Sequence, residues 1–458
     1  MKSLMQLKIS YQTLAKITNG ILCQANLKDI LKSVSYDTRT LQKGQAYIAL
    51  KGAKFDGHTF IKPALEAGAN FVILERKEAP KYDEILKNTP FLTVDNTLLA
   101  LQEIAKFHRL SKDIKIAAIT GSNGKSTTKQ MLSALLKKFG KTCSTEGNFN
   151  NQIGVPVSLL EIKNTDKFGV FELGASHIGD IAEIARLVLP DVAVLTNISP
   201  SHLEFFGSME NIYKTKTEIL QHLNMGATVV FNGDDKFLKN LKTDYKGKML
   251  SYGFDSGNDI IIQDTPTFSF AYKGALFNTG VVLEHHNKLN AAAACGAALA
   301  LGMFKEDIEK GLKTYKPMPM RLEKYKLNKV DILLDCYNAN PVSMENALDI
   351  LSTYASPRFA ILGDMRELGK FSKMYHKELA GKIINAKVDK VFLAGQEINE
   401  TYKELLKLNF KEVKYSLNKL DFLDDLKQII QNKNGTILFK ASRSLNFEEL
   451  FFKLKEGK

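Results

Sequence analysis

The chain has 458 residues, 44% apolar and 25% charged, and at about 150 residues per domain that length predicts about three domains. Such a chain can bury large cores unaided, which excludes a disulfide-framed miniprotein, a collagen-like chain and a mostly disordered one. Lys and Arg number 63 against 50 Asp and Glu, a net charge of +13, which favours anionic ligands without choosing among nucleic acid, lipid and phosphorylated metabolites. These charges are scattered, with no basic tail. Cys23, Cys143, Cys295 and Cys336 make no CxxC or CxxH pair, which argues against a zinc site or disulfide scaffold and fits a reducing cytoplasm. The first twenty residues intersperse Lys, Gln and Ser where a signal peptide would be continuously apolar. A soluble cytoplasmic protein is expected.

In chain order, residues 1 to about 108 mix helical stretches with strand-like pieces at Gln45–Leu50 and Asn70–Leu74, and the turn-rich Lys51–His58 lies between them. Ile114–Thr120 is a β-rich run entering a glycine loop, and Thr127–Phe139 sets Met131, Leu132, Leu135, Leu136 and Phe139 on one helical face, with Gly140 placed as a C-cap. Strand-like runs follow at Phe168–Leu173, Val192–Ile198 and Thr228–Phe231; alternating with helical patterns, they imply a largely parallel α/β sheet. Ala291–Phe304 is too short to span a bilayer and reads as a buried helix. The segment Tyr315–Arg321, with prolines at 317 and 319, is a linker candidate. Beyond it, runs at Ile332–Asp335, Phe359–Leu362, Val391–Ala394 and Ile437–Phe439 predict a second, smaller doubly wound domain.

Thr120-Gly-Ser-Asn-Gly-Lys-Ser-Thr127 lies between a predicted strand and a predicted helix. Backbone N–H groups of Gly121, Ser122, Asn123 and Gly124, with the helix N-terminus through Thr127, can cradle phosphate oxygens. Lys125 would reach the β- and γ-phosphates, and the Ser126 hydroxyl could ligate Mg²⁺. Ile119 stands where the full Walker pattern has its first glycine. Glu172 ends the strand Phe168–Leu173, at the sheet edge where a metal partner would belong or where a solvated Glu would sit. His202, after the next strand, is a second metal candidate or a structural histidine.

Asn148 and Asn151, in Gly147–Pro156, read as an elaborate loop or as neutral donors and acceptors for a polar substrate. Lys214 and Lys216 read as a solvated basic helix face. Asp335–Pro341 follows a predicted strand of the last domain, where ligands gather. The loop Lys440–Ser444 suits a carboxylate or phosphate, or is simply basic.

The ordered series TGSNGKST, GNFNNQIGVP, ELGASH, SHLEFFGS, KTKTEIL, HNKLNAAAA, RLE, DCYNANPVSM, GDMRELG and KASRS, with Ser35–Arg39 and Ala49–His58 near the N-terminus, resembles the Mur ligases. These are ATP-dependent amide-bond-forming enzymes of peptidoglycan synthesis. The resemblance implies a UDP-substrate domain at 1–108, a central P-loop ATPase at 109–317 and a C-terminal Rossmann-like domain at 318–458. Lys125 and Ser126 match the phosphate-binding lysine and the metal-binding hydroxyl, and Glu172 and His202 match Mg²⁺ ligands. Lys216 matches a lysine whose carbamylation would let it hold a second Mg²⁺, the reverse of the bland reading. Asn287 and Asn290 match an adenine-binding pair, Arg321 an ATP-contacting arginine and Asp335 a ribose-contacting acid.

Asp37, Thr38 and Arg39 match the segment near the UDP moiety, while Asn338, Asn340 and Lys440, Ser442 and Arg443 would lie near an incoming dipeptide. Met320, His285 and Ala441 replace glycines usual in the family. The stretches NANPVSM and GDMRELG favour the member joining D-Ala-D-Ala to UDP-MurNAc-tripeptide, through an acyl phosphate. A sister ligase adding one amino acid and folylpolyglutamate synthase are the nearest rivals; the DNPR motif of the diaminopimelate-adding member is absent. A P-loop nucleic-acid ATPase would need a concentrated basic stripe, which the sequence lacks, and a non-catalytic nucleotide-binding scaffold is the third class. A monomer that binds no nucleic acid and inserts in no membrane is expected.

Overall fold

Among the described residues, apolar runs alternating with amphipathic helices build three large sheets packed against helices, beside a two-stranded antiparallel ladder of Ile9–Ser10 with Ile30–Leu31. The computed structural model describes residues 7–52 and 55–456; Ala53 and Lys54 of the turn-rich segment, and the first six residues of the N-terminal stretch, lie outside them. The first sheet runs Ile21–Cys23, Phe91–Val94, Phe71–Glu75, Ala46–Ile48, Val34–Ser35. Only its first pairing is antiparallel.

Tyr47, Val72 and Leu74 pack with Ile61, Ala64 and Leu86 on one side of this sheet. Ile48, Phe71 and Ile73 face the helix Thr97–Leu110 and merge into the main core. That helix is shared. Its buried Arg109 donates from Nε to the Val188 carbonyl at 2.9 Å and from Nη2 to the Leu189 carbonyl at 3.3 Å, closing the end of the helix Asp180–Val188. Nε2 of His108 meets the Ile162 carbonyl at 2.9 Å.

The central sheet has nine strands, in the order Ala275–Val282, Thr267–Tyr272, Ile260–Ile262, Lys248–Gly253, Thr228–Asn232, Val192–Leu195, Lys115–Thr120, Phe168–Glu172, Thr142–Ser144. The pairings from Thr142–Ser144 to Ile260–Ile262 are parallel, as the alternation predicts. The last two strands fold back antiparallel. Their turn is Lys273-Gly274, both left-handed with φ of 47° and 76°, a two-residue hairpin signal that strand–helix alternation hides.

The helix Lys125–Leu136 buries Met131, Leu132 and Leu135 against the alanine-rich helix His285–Ala300 and against Val194 and Val230 of the sheet. It stops earlier than predicted: the Gly140 amide donates to the Leu136 carbonyl at 3.2 Å, but Gly140 is not a left-handed cap.

The third sheet runs Glu323–Leu327, Val330–Leu334, Gly435–Lys440, Arg358–Gly363, Lys390–Ala394, Val413–Ser416, parallel except for its first, antiparallel pairing. Tyr315–Arg321 crosses to it without regular structure, and Met320 and Leu322, flanking Arg321, are left-handed at φ 58° and 52°. Among the described residues no helix is long and apolar enough to cross a membrane.

Candidate active site

A cavity of about 1000 Å³ lies between the carboxyl edge of the central sheet and the third sheet's domain. Its floor is the loop Ser122–Thr127. Two glycines give this loop its path. Gly121 (φ 141°) passes so near Thr196 that a Cβ would lie 2.0 Å from its Oγ1, and Gly124 (φ 81°) so near Asn290 that a Cβ would lie 2.1 Å from its Oδ1. Lys125 folds its Nζ onto the carbonyls of Gly121 (2.7 Å) and Ser122 (3.1 Å). Burial, helped by the Arg321 charge, holds the Lys125 ammonium below its usual pKa, against the pull of Glu172. The Ser126 hydroxyl accepts from Arg321 Nη2 at 3.2 Å, and the Arg321 guanidinium lies 4.3 Å over the Tyr337 ring.

Glu172 is buried beside the loop, where its strand position predicts. Oε1 accepts from Asn150 Nδ2 at 2.9 Å, and Oε2 lies 3.4 Å from Lys129 Nζ. Burial alone would raise the Glu172 pKa, but the charges of Lys129 and Lys125 and hydrogen bonds from Asn150 and Ser126 bring it below the usual carboxylate value. Lys129 also donates to the Thr145 and Gly147 carbonyls, at 2.9 and 3.3 Å, fixing the start of the asparagine-rich loop. The imidazole of His202 lines the same cavity, with Nδ1 2.6 Å from Glu367 Oε2.

Lys216 is not on the cavity wall. It is buried behind Phe206, its Nζ 5.5 Å from the ring centroid, so it is not part of the solvated basic face; Lys214 is exposed. Burial first, then the Lys125 charge, lowers the Lys216 pKa to about 7, against the pull of Asp180 and Glu218. The Glu218 carboxylate is itself committed to the Gly179 and Ala182 amides, at 2.7 and 3.1 Å.

Asn287 and Asn290 bond to each other at 3.1 Å and line one end of the cavity, and Asn287 also donates to Glu284 at 3.1 Å. The opposite wall comes from the third domain. Asn340 donates to the Asn123 side chain at 2.7 Å and caps the helix Pro341–Ser352 by accepting from the Ser343 amide. Lys440 is paired with Asp335 at 2.6 Å and donates to the Asn338 carbonyl at 3.1 Å. The Ser442 hydroxyl accepts from the Arg366 amide at 2.9 Å, and Arg443 pairs with Glu448.

Asn148 lines the cavity but Asn151 does not; its Oδ1 accepts from the Ile153 and Gly154 amides and starts a helix. Asp37, Thr38 and Arg39 lie on a turn beside the first sheet, away from the cavity, with Arg39 Nη2 2.6 Å from Asp37 Oδ2. Sequence reasoning passed over Lys129, Asn150, Tyr337, Arg366 and Glu367. Lys129 had a local signal, since it stands one helical turn beyond Lys125 on the same side.

Among the described residues no three His, Cys, Asp or Glu side chains gather into a metal cage. Glu172, His202 and the Ser126 hydroxyl do line one cavity, and Glu172 Oε2 is buried without a hydrogen-bond donor. A sparse set of this kind suits Mg²⁺, which keeps waters and shares phosphate oxygens.

Three family models match: the Mur ligase family catalytic domain over residues 31–109, the Mur ligase middle domain over 119–298, and the Mur ligase glutamate ligase domain over 320–443. The UDP-N-acetylmuramoyl-tripeptide–D-alanyl-D-alanine ligase of Bacillus subtilis is 36% identical, covering 98% of this chain and 99% of the relative. The Escherichia coli enzyme of the same name is 31% identical, covering 98% and 99%. A crystal structure of MurF from Acinetobacter baumannii superposes with a TM-score of 0.91 at 30% identity, over 99% of this chain and all of that one. MurF from Thermotoga maritima, solved in complex with ADP, superposes at 0.81 with 30% identity, over 93% and 98%. With its motifs in order, its phosphate loop facing the third domain, and relatives of this similarity along nearly its whole length, the chain belongs to the Mur ligase family.

Proposed function

We propose that this chain is the ATP-dependent ligase that joins D-alanyl-D-alanine to UDP-N-acetylmuramoyl-tripeptide, giving the pentapeptide, ADP and phosphate. The observation that carries the reading is the phosphate loop closed by a second domain. Asn340 and Arg321 come from the third-domain side and touch Asn123 and Ser126 directly, and curated relatives bearing that activity cover nearly the full length.

A carboxylate is a poor acyl donor until it is phosphorylated. In this reading the loop amides and Lys125 hold the phosphates and offset charge on the transferring group. Asn287 and Asn290 bind the adenine, Asp335 the ribose, and Arg321 the phosphate end. Mg²⁺ held by Ser126, Glu172 and His202 would supply charge neutralisation and a template for phosphate and carboxylate oxygens. The dipeptide amine then attacks the acyl carbon and phosphate leaves, with Asn148, Asn338, Asn340, Ser442 and Arg443 on the acceptor side. Asp37, Thr38 and Arg39 serve the UDP moiety. Domain boundaries near 108 and 318 are supported by where the sheets end, since the first closes at Val94 and the third opens at Glu323.

The carbamylation of Lys216 belongs to the same reading and is supported by its burial. A neutral lysine nitrogen attacks the carbon of CO₂ and loses a proton, giving an anionic carbamate. With the pKa near 7, a large neutral fraction exists at physiological pH. Turnover should rise on adding bicarbonate to CO₂-stripped enzyme, and ¹³C-bicarbonate should give a carbamate NMR signal that Lys216→Ala lacks; a fully active Lys216→Ala variant refutes it.

The test of the function is phosphate release with UDP-MurNAc-tripeptide plus D-Ala-D-Ala, set against the same UDP-linked substrate with single amino acids. Turnover requiring the dipeptide is expected, and its absence overturns the assignment.

A further inference from the structure

The stretch Gly363–Gly369 has no part in the reaction as described above, yet it is the part of the third domain that reaches His202. Its root is fixed firmly. Asp364, fully buried, accepts from the amides of Gln396 (3.2 Å), Glu397 (3.0 Å) and Ile398 (2.9 Å). The next residue, Met365, donates its amide to Nε2 of the buried His376 at 3.1 Å.

Past this anchor Glu367 meets the central domain at two points. The Glu367 carbonyl accepts from the Glu204 amide at 3.0 Å, and Glu367 Oε2 lies 2.6 Å from His202 Nδ1. Both residues of the pair are left-handed, with φ 64° at Glu367 and 51° at His202. Neither is glycine, so the surroundings impose a conformation that the residues disfavour, a pattern concentrated at functional sites. Gly369 (φ 53°) allows the approach, because a Cβ there would lie 2.9 Å from Glu204 Cα.

The contact is a charge contact, not an aligned hydrogen bond. A lone pair on Nδ1 would still face this negative oxygen at 2.6 Å, which disfavours that tautomer and leaves the lone pair of the neutral ring on Nε2. We propose that Glu367 is a positioning residue for His202: it fixes the ring and its tautomer for ligation through Nε2, and it does so only while the third domain is closed on the phosphate loop. The inference rests on the ligase reading and its metal site. Closure then completes the site in a second way, beyond bringing in substrate contacts. The Asn123–Asn340 pair marks the same closed state from the other side of the cavity.

The experiment measures Mn²⁺ affinity of the enzyme–ADP complex by electron paramagnetic resonance, alongside kcat and KM with the full substrates, for Glu367→Ala, His202→Ala and the double variant. Glu367→Ala should weaken Mn²⁺ binding about 10–100-fold and lower kcat by a similar factor, with KM for ATP changed less than about threefold. In the His202→Ala background the same substitution should change Mn²⁺ affinity no further. Should Glu367→Ala fail to fold, Glu367→Gln carries the same cycle with a smaller loss, about three- to tenfold. Unchanged Mn²⁺ affinity with His202 intact, or an equal loss with His202 removed, overturns the proposal. Parent turnover with the dipeptide tests the ligase reading separately, because Mn²⁺ binding to the ADP complex needs no acceptor.

Discussion

Buried charge is concentrated in the side chains around the phosphate loop. Lys129 and Glu172 are buried together, with Lys125 half-buried on the cavity wall beside them, and each is tolerable there because of the others. Truncating Lys125 or Glu172 to Ala should lower turnover by at least about 10²-fold with an unchanged circular dichroism spectrum; near-normal turnover in both would contradict their roles. Lys129→Met gives a different result, since it removes the nearest cation from a carboxylate whose burial alone would raise its pKa. Glu172 must then take up a proton at higher pH, so the acid limb of the kcat–pH profile should move upward. A limb that stays in place would show that Lys129 does not tune Glu172. Lys125, Ser126 and Glu172 were legible because a strand–glycine loop–helix order and a strand end predict where their side chains emerge. Asn150 and Glu367 were not, because their partners are 22 residues away in one case and in another domain in the other.

At the scale of elements, the apolar runs read as strands fall on strands, most to within two residues. Val192–Ile198 overruns the strand Val192–Leu195 by three, however, and strands such as Phe91–Val94 and Lys248–Gly253 went unread. The alanine helix is buried from Ala291 to Ala298 but ends at Ala300, leaving Phe304 exposed. What the pattern hid was direction: the hairpin Thr267–Val282 is antiparallel because of a two-residue turn, not because of its hydrophobicity. It also hid sharing. The helix Thr97–Leu110 follows the last strand of the first sheet yet is fastened to the central domain through Arg109. Replacing Arg109 with Met would keep much of the packing volume but leave two helix-end carbonyls, one buried and one part-buried, without their donor. The loss should be about 1–3 kcal/mol, read as a lower urea midpoint for the transition that includes the central domain; no change would mean that water replaces the guanidinium.

Across the whole molecule, several histidines are folded in as neutral rings. Burial lowers the pKa of His108 and of His376, despite hydrogen bonds to backbone carbonyls that act in the opposite direction. Their unfolded value is about 6.5, so below it the unfolded chain takes up protons that the folded chain refuses. The associated stability is fully present above about pH 6.5 and is lost as pH falls toward the lowered folded values. The thermal midpoint should therefore drop between pH 7.5 and 5.5, and His108→Gln should flatten that dependence. An equally steep dependence in the variant would assign the effect elsewhere.

The run of small residues from Ala291 to Ala298 sets a spacing for the whole site. A Cβ on Gly296 would lie 2.9 Å from Val230 Cγ1 and 3.1 Å from Ile260 Cδ1, so at this position the helix packs on the sheet with no room for a side chain. Its second turn carries Asn290 to within reach of Gly124. Methyl groups are therefore a unit of length here: each one added in this buried seam would lift Asn290 away from the glycine loop at Gly124. Drift at positions with no chemistry of their own would then register as a change in nucleotide preference before it registered as a loss of fold.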